Sequence, residues 1–235
     1  MAMVTLANPD ITYHNWQGFI VFQVLNLICT LINIVGQKWL PYLHRGSFIV
    51  FIFAFLLVNM TLLGSAFPKN SATFVFNTFT NSTGWTNNSI AFIVGLTSPA
   101  FAFGGIDGAI HMAEEMKGIR LSLRKIHKLL LIVIDARRNL PIVLVGTIVI
   151  GFATLFITAV VICFCILDLD AVLNTATNVP ILEIFYQATK NVGASNFLLC
   201  ILFYLNLVSV IASMQTANRL IWAFARDGAL PYSRV

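Results

Sequence analysis

Helix-breaking residues interrupt an apolar segment of membrane length in the run Gly95-Leu96-Thr97-Ser98-Pro99-Ala100-Phe101-Ala102-Phe103-Gly104-Gly105-Ile106-Asp107-Gly108-Ala109-Ile110-His111-Met112-Ala113-Glu114-Glu115. Pro99 lacks a backbone N–H, and Gly104, Gly105 and Gly108 make the helix an unfavourable conformation. The ionisable residue Asp107 lies two positions after the glycine pair. Non-helical backbone at membrane depth is tolerated only where protein buries it or water lines it. The segment therefore predicts a broken helix beside a cavity, where free backbone groups and a carboxylate hold a polar solute.

Two other interpretations of this segment are open. Gly104 and Gly108 have the spacing of a small-residue motif that brings two membrane helices close together. That reading leaves Pro99 and Asp107 unexplained. His111 and Glu114 share a helix face, as metal ligands do, but no second histidine motif accompanies them. We therefore expect no metal and no other cofactor.

The composition is that of a protein with several membrane spans. Hydrophobic residues make up 58% of the chain and charged residues only 10%, which excludes an ordinary soluble domain and argues against a nucleic-acid partner. A helix needs about 20 mostly apolar residues to cross a bilayer. The pattern predicts an all-α integral membrane protein with five transmembrane helices, at about residues 19–40, 48–67, 90–111, 142–167 and 197–217.

The distribution of basic residues predicts the orientation of these spans. Lysine and arginine cluster after the first, third and fifth spans, whereas only Lys69 and Lys190 follow the second and fourth. Since basic loops stay in the cytoplasm, the N-terminus is expected outside and the C-terminus inside. Asn81 and Asn87 begin glycosylation sequons in the loop that this orientation places outside. A plasma-membrane location is the expectation.

Local patterns predict the remaining features. Polar residues form one face of the first span, and hydrogen bonding to neighbouring helices explains that face better than substrate contact; they are Gln23, Asn26, Thr30, Asn33 and Gln37. Pro41 is expected to stop the first helix, with a short turn at 44–47 before the second. The polar loop 68–89 is expected to be mobile. Short helices are expected at 168–173 and 181–188.

Three motifs resemble a known family, the amino acid–polyamine–organocation transporters. They are the run from Ser98 through Asp107 to Glu115, the loop motifs 171–175 and 180–187, and the run from Ala217 to Pro231. Fungal amino acid, GABA and choline permeases look most similar. The resemblance implies transport by a secondary active permease of two inverted five-helix repeats. It covers nearly the whole chain, and its two end motifs are the more specific ones.

The resemblance also implies a substrate site. Phe101 would cover the substrate, Asp107 would serve gating or proton coupling, and Asn206 would face the site from a later helix. The unwound backbone would comprise Ala102, Phe103, Gly104, Gly105 and Ile106. The implied partners are an amino acid or amine substrate, a coupled proton and membrane lipid.

The chain departs from the family pattern in two ways. Its five spans resemble helices four to eight, a partial transporter domain, so the 235 residues alone are not expected to transport. Residues 118–134 look like an insertion, read either as an untranslated segment of the gene or as a basic amphipathic helix on the cytoplasmic face. A membrane-embedded structural or regulatory subunit that lost transport is the rival reading. An enzyme is not expected, because no nucleophile–base pair accompanies the spans.

Overall fold

The computed structural model describes residues 2–8, 14–81, 84–106, 108 and 136–230. This part of the chain is all-helical, as predicted, and contains no strand. Its helices are α1 Ala2–Ala7, α2 Asn15–Val35, α3 Leu40–Ser65, α4 Ala72–Asn77, α5 Asn88–Gly95, α6 Thr97–Ala102, α7 Ala136–Cys165, α8 Leu169–Leu173, α9 Pro180–Thr189 and α10 Val192–Arg226. The chain divides into two compact units: a first of residues 1–78 and 154–211, and a second of residues 79–153 and 212–235.

Four helices are long and apolar enough to cross a membrane: α2, α3, the part of α7 from Pro141, and α10. They correspond to the first, second, fourth and fifth predicted spans. The third predicted span contains the shorter apolar run Asn88–Ala102. Residues 107 and 109–111, at the end of that span, lie outside the described residues, as does the whole of 118–134.

The predicted boundary between the first two spans is wrong. Helix α2 ends at Val35, and α3 begins at Leu40 and continues through the expected turn at 44–47. Pro41 occupies the first turn of α3, where its missing N–H costs no helical hydrogen bond and its fixed φ favours the helix. The proline therefore starts the second helix, and the turn lies at residues 36–39.

The core of the first unit brings α3, α7, α9 and α10 together. Leu62 of α3, Cys165 of α7 and Phe185 of α9 are fully buried there. Around them pack Val58, Ala66, Val161, Val172, Ile184, Ala188 and Leu198. The predicted short helices are confirmed, since α8 and α9 form where the sequence placed them. Asp168 caps α8 by accepting a hydrogen bond from the backbone N–H of Ala171 at 3.0 Å.

Polar side chains connect the long helices of this unit. The Asn33 amide of α2 donates to the carbonyl of Ile211 in α10 at 3.3 Å. Ser47 of α3 hydrogen-bonds Tyr204 of α10 at 2.9 Å. Asn33, a member of the predicted polar face on α2, therefore forms a hydrogen bond between helices. Gln23 and Thr30 are exposed, and the hydroxyl of Thr30 donates to the Asn26 carbonyl of its own helix.

The loop after α3 is more structured than its composition indicated. It contains α4, whose Phe76 ring packs edge-on against Phe164. The backbone N–H of Asn70 donates to the Phe164 carbonyl at 2.9 Å, and its side-chain amide donates to the Cys163 carbonyl at 3.0 Å. Asn70 thereby satisfies carbonyl groups in the last turn of α7, which have no partner within the helix.

Replacing Phe185 by alanine should destabilise the first unit. Phe185 is fully buried, and a truncated buried phenylalanine costs about 3–5 kcal/mol, or a fall of about 10 °C in the apparent unfolding temperature for a chain of this size. Thermal unfolding of the detergent-solubilised 235-residue chain measures this. Phe197→Ala is the matched control, because Phe197 is 58% exposed on α10. Equal losses for both variants would contradict the assigned core.

Candidate substrate site

The third span is interrupted twice in its described part. Pro99 has no N–H to donate to the carbonyl of Gly95, four residues earlier, and the helix is broken there between α5 and α6, at Leu96. Helix α6 ends at Ala102, and turns follow through Ile106. The predicted helix break is therefore confirmed.

The turn after α6 depends on glycine. Gly105 has a φ of +87°, a conformation that side chains with a Cβ rarely adopt. The backbone N–H of Gly104 donates to the Phe101 carbonyl, and that of Gly108 to the Gly105 carbonyl, both at 3.0 Å. These hydrogen bonds span three residues rather than the four of an α-helix. The carbonyls of the last turn of α6 thus accept hydrogen bonds of a turn and not those of a continuing α-helix.

Two glycines of this region permit close packing within the second unit. A Cβ on Gly151 of α7 would lie 3.3 Å from Cε1 of the Phe103 ring, and one on Gly108 would lie 3.3 Å from the Thr216 hydroxyl oxygen. A Cβ on Gly104 would instead meet the carbonyl oxygen of Phe101 at 3.1 Å. Gly108 therefore lies in a close contact, whereas Gly104 and Gly105 belong to the turn.

The predicted site residues differ in their exposure. Phe101 is 87% exposed at the end of α6, and Ala102, Gly104 and Gly105 are exposed with it. Phe103 and Ile106 are half-buried. The stretch 101–106 thus presents an open aromatic ring beside exposed backbone.

Asn206 and Asp107 complete the set of predicted site residues. Asn206 belongs to the first unit, where it is exposed on α10. Asp107, His111 and Glu114 lie outside the described residues. Across the part of the chain that the structure describes, no group of three His, Cys, Asp or Glu residues is arranged to hold a metal.

Sequence reasoning missed two contributors to this region. The close contact between Gly151 and the ring of Phe103 was not predicted. Thr216 was not singled out at all, although it lies against Gly108. No local pattern in the sequence pairs residues so far apart, so only the folded chain reveals these contacts.

The sequence was compared with known proteins. Residues 1–235 match the amino acid permease family model. The chain belongs to the amino acid permease family. It is 38% identical to a choline transporter of Saccharomyces cerevisiae, over 100% of this chain and 39% of that protein. It is 34% identical to a 7-keto 8-aminopelargonic acid transporter of the same yeast, over 95% of this chain and 38% of that protein.

A third relative is a putative amino acid/polyamine transporter of Macrophomina phaseolina, 30% identical over 100% of this chain and 48% of that protein. The chain thus spans less than half the length of these relatives. They are permeases and transporters by name, and the family is not one of enzymes. No solved structure matches the chain at a significant level.

Replacing Gly105 by alanine should destabilise the turn of the third span. A Cβ at φ +87° imposes strain of about 1–3 kcal/mol. Gly95→Ala is the matched control, because Gly95 is helical and a Cβ there meets no atom within 4 Å. Thermal unfolding of both variants in detergent measures the difference. If Gly105→Ala proves as stable as Gly95→Ala, the positive φ at this turn is wrong.

Proposed function

We propose that the 235-residue chain forms part of a secondary active permease that carries an amino acid or a related amine, such as GABA or choline. It would supply helices four to eight of the two inverted repeats. The names of the relatives support this substrate class. The observation that carries the proposal is the end of α6 beside the exposed ring of Phe101.

Electrostatics at this position favour a cation. Backbone dipoles leave a partial negative charge at a helix C-terminus, and α6 ends at Ala102, where turn hydrogen bonds to the carbonyls of Ala100 and Phe101 replace the bonds of a continuing helix. An ammonium or quaternary ammonium group would be attracted to those oxygens. The face of an aromatic ring such as Phe101 attracts the same group by a cation–π interaction. Phe103 and Ile106, half-buried beside them, would hold the turn in place.

Asp107 would complete the mechanism. A carboxylate beside the turn would add charge attraction for the amine, and its protonation would couple solute movement to a proton gradient. Asn206 stays a predicted substrate residue on the resemblance alone. In the family's mode of action, one repeat moves against the other around such a site.

The proposed orientation places Asn81 and Asn87 outside and Arg219 in the cytoplasm. In a variant with the native cysteines replaced, a cysteine at position 81 should react with a membrane-impermeant maleimide on intact cells. A cysteine at position 219 should react only after permeabilisation. Sensitivity of the wild-type chain to a glycosidase provides a second readout. Labelling of position 81 from the cytoplasmic side alone would overturn the orientation.

A chimera tests the transport function. The 235 residues would replace the aligned segment of the Saccharomyces cerevisiae choline transporter, and uptake of labelled choline, GABA and amino acids would be measured in yeast lacking that transporter. Saturable uptake of any of them is expected. Correct surface expression without uptake would favour the rival reading of a non-transporting membrane subunit.

The same chimera tests Phe101. Loss of a cation–π contact of about 1 kcal/mol should raise the KM for a cationic substrate roughly fivefold in Phe101→Ala, and Phe101→Tyr should restore it. Phe92→Ala is the matched control, since Phe92 is exposed on α5 outside the turn. Asp107→Asn should depress uptake without removing the protein from the surface. Wild-type kinetics in Phe101→Ala would exclude the ring from the site.

A further inference from the structure

Helix α3 has two faces of different character. Its buried residues apart from Asn59 recur at spacings of seven and four and form the face that packs within the first unit; they are Leu40, Ser47, Ala54, Val58 and Leu62. The opposite face follows spacings of three and four and is exposed throughout. This α3 outer face consists of Tyr42, Arg45, Ile49, Phe53, Leu56, Met60 and Leu63. Residues so spaced lie in one stripe along a helix.

The stripe changes from polar to apolar along its length. Tyr42 and Arg45 lie in the first two turns of α3, and Lys38 and Trp39 precede them in the turn after α2. The Trp39 and Tyr42 rings lie 6.5 Å apart between centroids, and their side chains are 74% and 69% exposed. From Ile49 onward every member of the stripe is apolar. Lys38, Trp39, Tyr42 and Arg45 thus form a basic and aromatic head. The apolar residues of the stripe, from Ile49 to Leu63, form the apolar column that follows it.

The positive charges of Lys38 and Arg45 have no ion-pair partner among the residues that the structure describes. Both side chains are exposed. Arg226 differs: its Nε bonds the Asp227 carboxylate at 3.1 Å, and its guanidinium lies 5.2 Å from the centre of the Trp222 ring. The charge at Lys38 and Arg45 is therefore available to an external anion.

The dimensions of the stripe match one leaflet of a bilayer. Arg45 and Leu56 are eleven positions apart, or about 17 Å along a helix. Half of the hydrocarbon core is about 15 Å thick. With Arg45 at headgroup level, Ile49, Phe53 and Leu56 would lie at the depth of the acyl chains. Aromatic residues such as Trp39 and Tyr42 prefer the boundary between the two regions.

We propose that the α3 outer face, together with Lys38 and Trp39, binds an anionic glycerophospholipid with a single phosphate, of the phosphatidylserine kind. Lys38 and Arg45 hold the headgroup, Trp39 and Tyr42 flank the glycerol region, and the apolar column receives the acyl chains. Each of the two basic side chains gains about 1 kcal/mol near an anionic membrane surface, and a single phosphate accommodates both. In the proposed orientation this site faces the cytoplasmic leaflet, where anionic lipids are concentrated.

Tryptophan quenching by brominated lipids tests the site. Trp16, Trp85 and Trp222 are replaced by phenylalanine in the 235-residue chain, so that only Trp39 fluoresces. The protein is reconstituted in phosphatidylcholine vesicles that contain a small fraction of brominated phosphatidylserine in both leaflets, or the same fraction of brominated phosphatidylcholine. Because both leaflets carry the probe, the result does not depend on the orientation of the chain or on transport.

Brominated phosphatidylserine should quench Trp39 at lower mole fraction than brominated phosphatidylcholine. Each basic side chain contributes about fivefold to the preference, so Lys38→Gln with Arg45→Gln should abolish it. The charge-preserving swap Lys38→Arg with Arg45→Lys should retain it. Arg226→Gln, made with Trp222 already replaced, is the matched control for loss of a positive charge elsewhere and should leave the preference intact.

Three outcomes would overturn the proposal. Equal quenching by the two lipids would show no headgroup selectivity. Quenching by neither would show that protein, either another helix or a second copy of the chain, covers the α3 outer face. Displacement of the brominated lipid by an equal concentration of soluble glycerophosphoserine would show an anion site without an acyl-chain contribution.

Discussion

A backbone carbonyl without a donor in hydrocarbon costs several kcal/mol, and this constraint shapes the whole chain. In the first unit an amide side chain meets it where α7 ends, and other buried amides find acceptors on neighbouring helices. Asn70 donates to carbonyls at the end of α7, and Asn33 donates to a carbonyl of α10. Asn59 donates to the carbonyl of Phe55 and to the Thr158 hydroxyl. Polar residues in these apolar helices therefore fix helix positions.

The interruption after α6 meets the same constraint by different means. Here short turn bonds between main-chain groups replace side-chain donors, and Gly105 supplies the conformation that makes the turn possible. The carbonyls of Ala100 and Phe101 accept these turn bonds, and the second lone pair of each oxygen can accept from a donor that is not part of the helix. In the proposed permease that donor is the ammonium group of the substrate. The feature that most weakens the third span as a helix is thus the one that supports a binding function.

The sequence predicted those parts of the fold that follow from local physics. Apolar length located the long helices, Asp168 marked the start of α8, and the glycine pair marked the turn after α6. The turn between α2 and α3 was misplaced because a proline is compatible with either end of a helix, and only the packing of Leu40 and Ser47 decides between them. Phe101 was assigned to the site by resemblance, and its role there stays a proposal. The contacts of Phe103 with Gly151 and of Gly108 with Thr216 join distant positions, so no local pattern predicts them.

Helix α3 shows why hydrophobicity alone does not predict which surface of a membrane helix packs against protein. Both of its faces are apolar over most of their length, so the sequence alone does not distinguish one face from the other. The folded chain separates them: Ala54, Val58 and Leu62 pack against protein, while Ile49, Phe53 and Leu56 remain exposed. In water such an exposed apolar column would promote aggregation. In a bilayer the surrounding lipid tails are as apolar as the side chains. Burial against α7, α9 and α10 determines the protein-facing side, and in the proposed lipid site the basic residues at the start of α3 determine which lipid the other side binds.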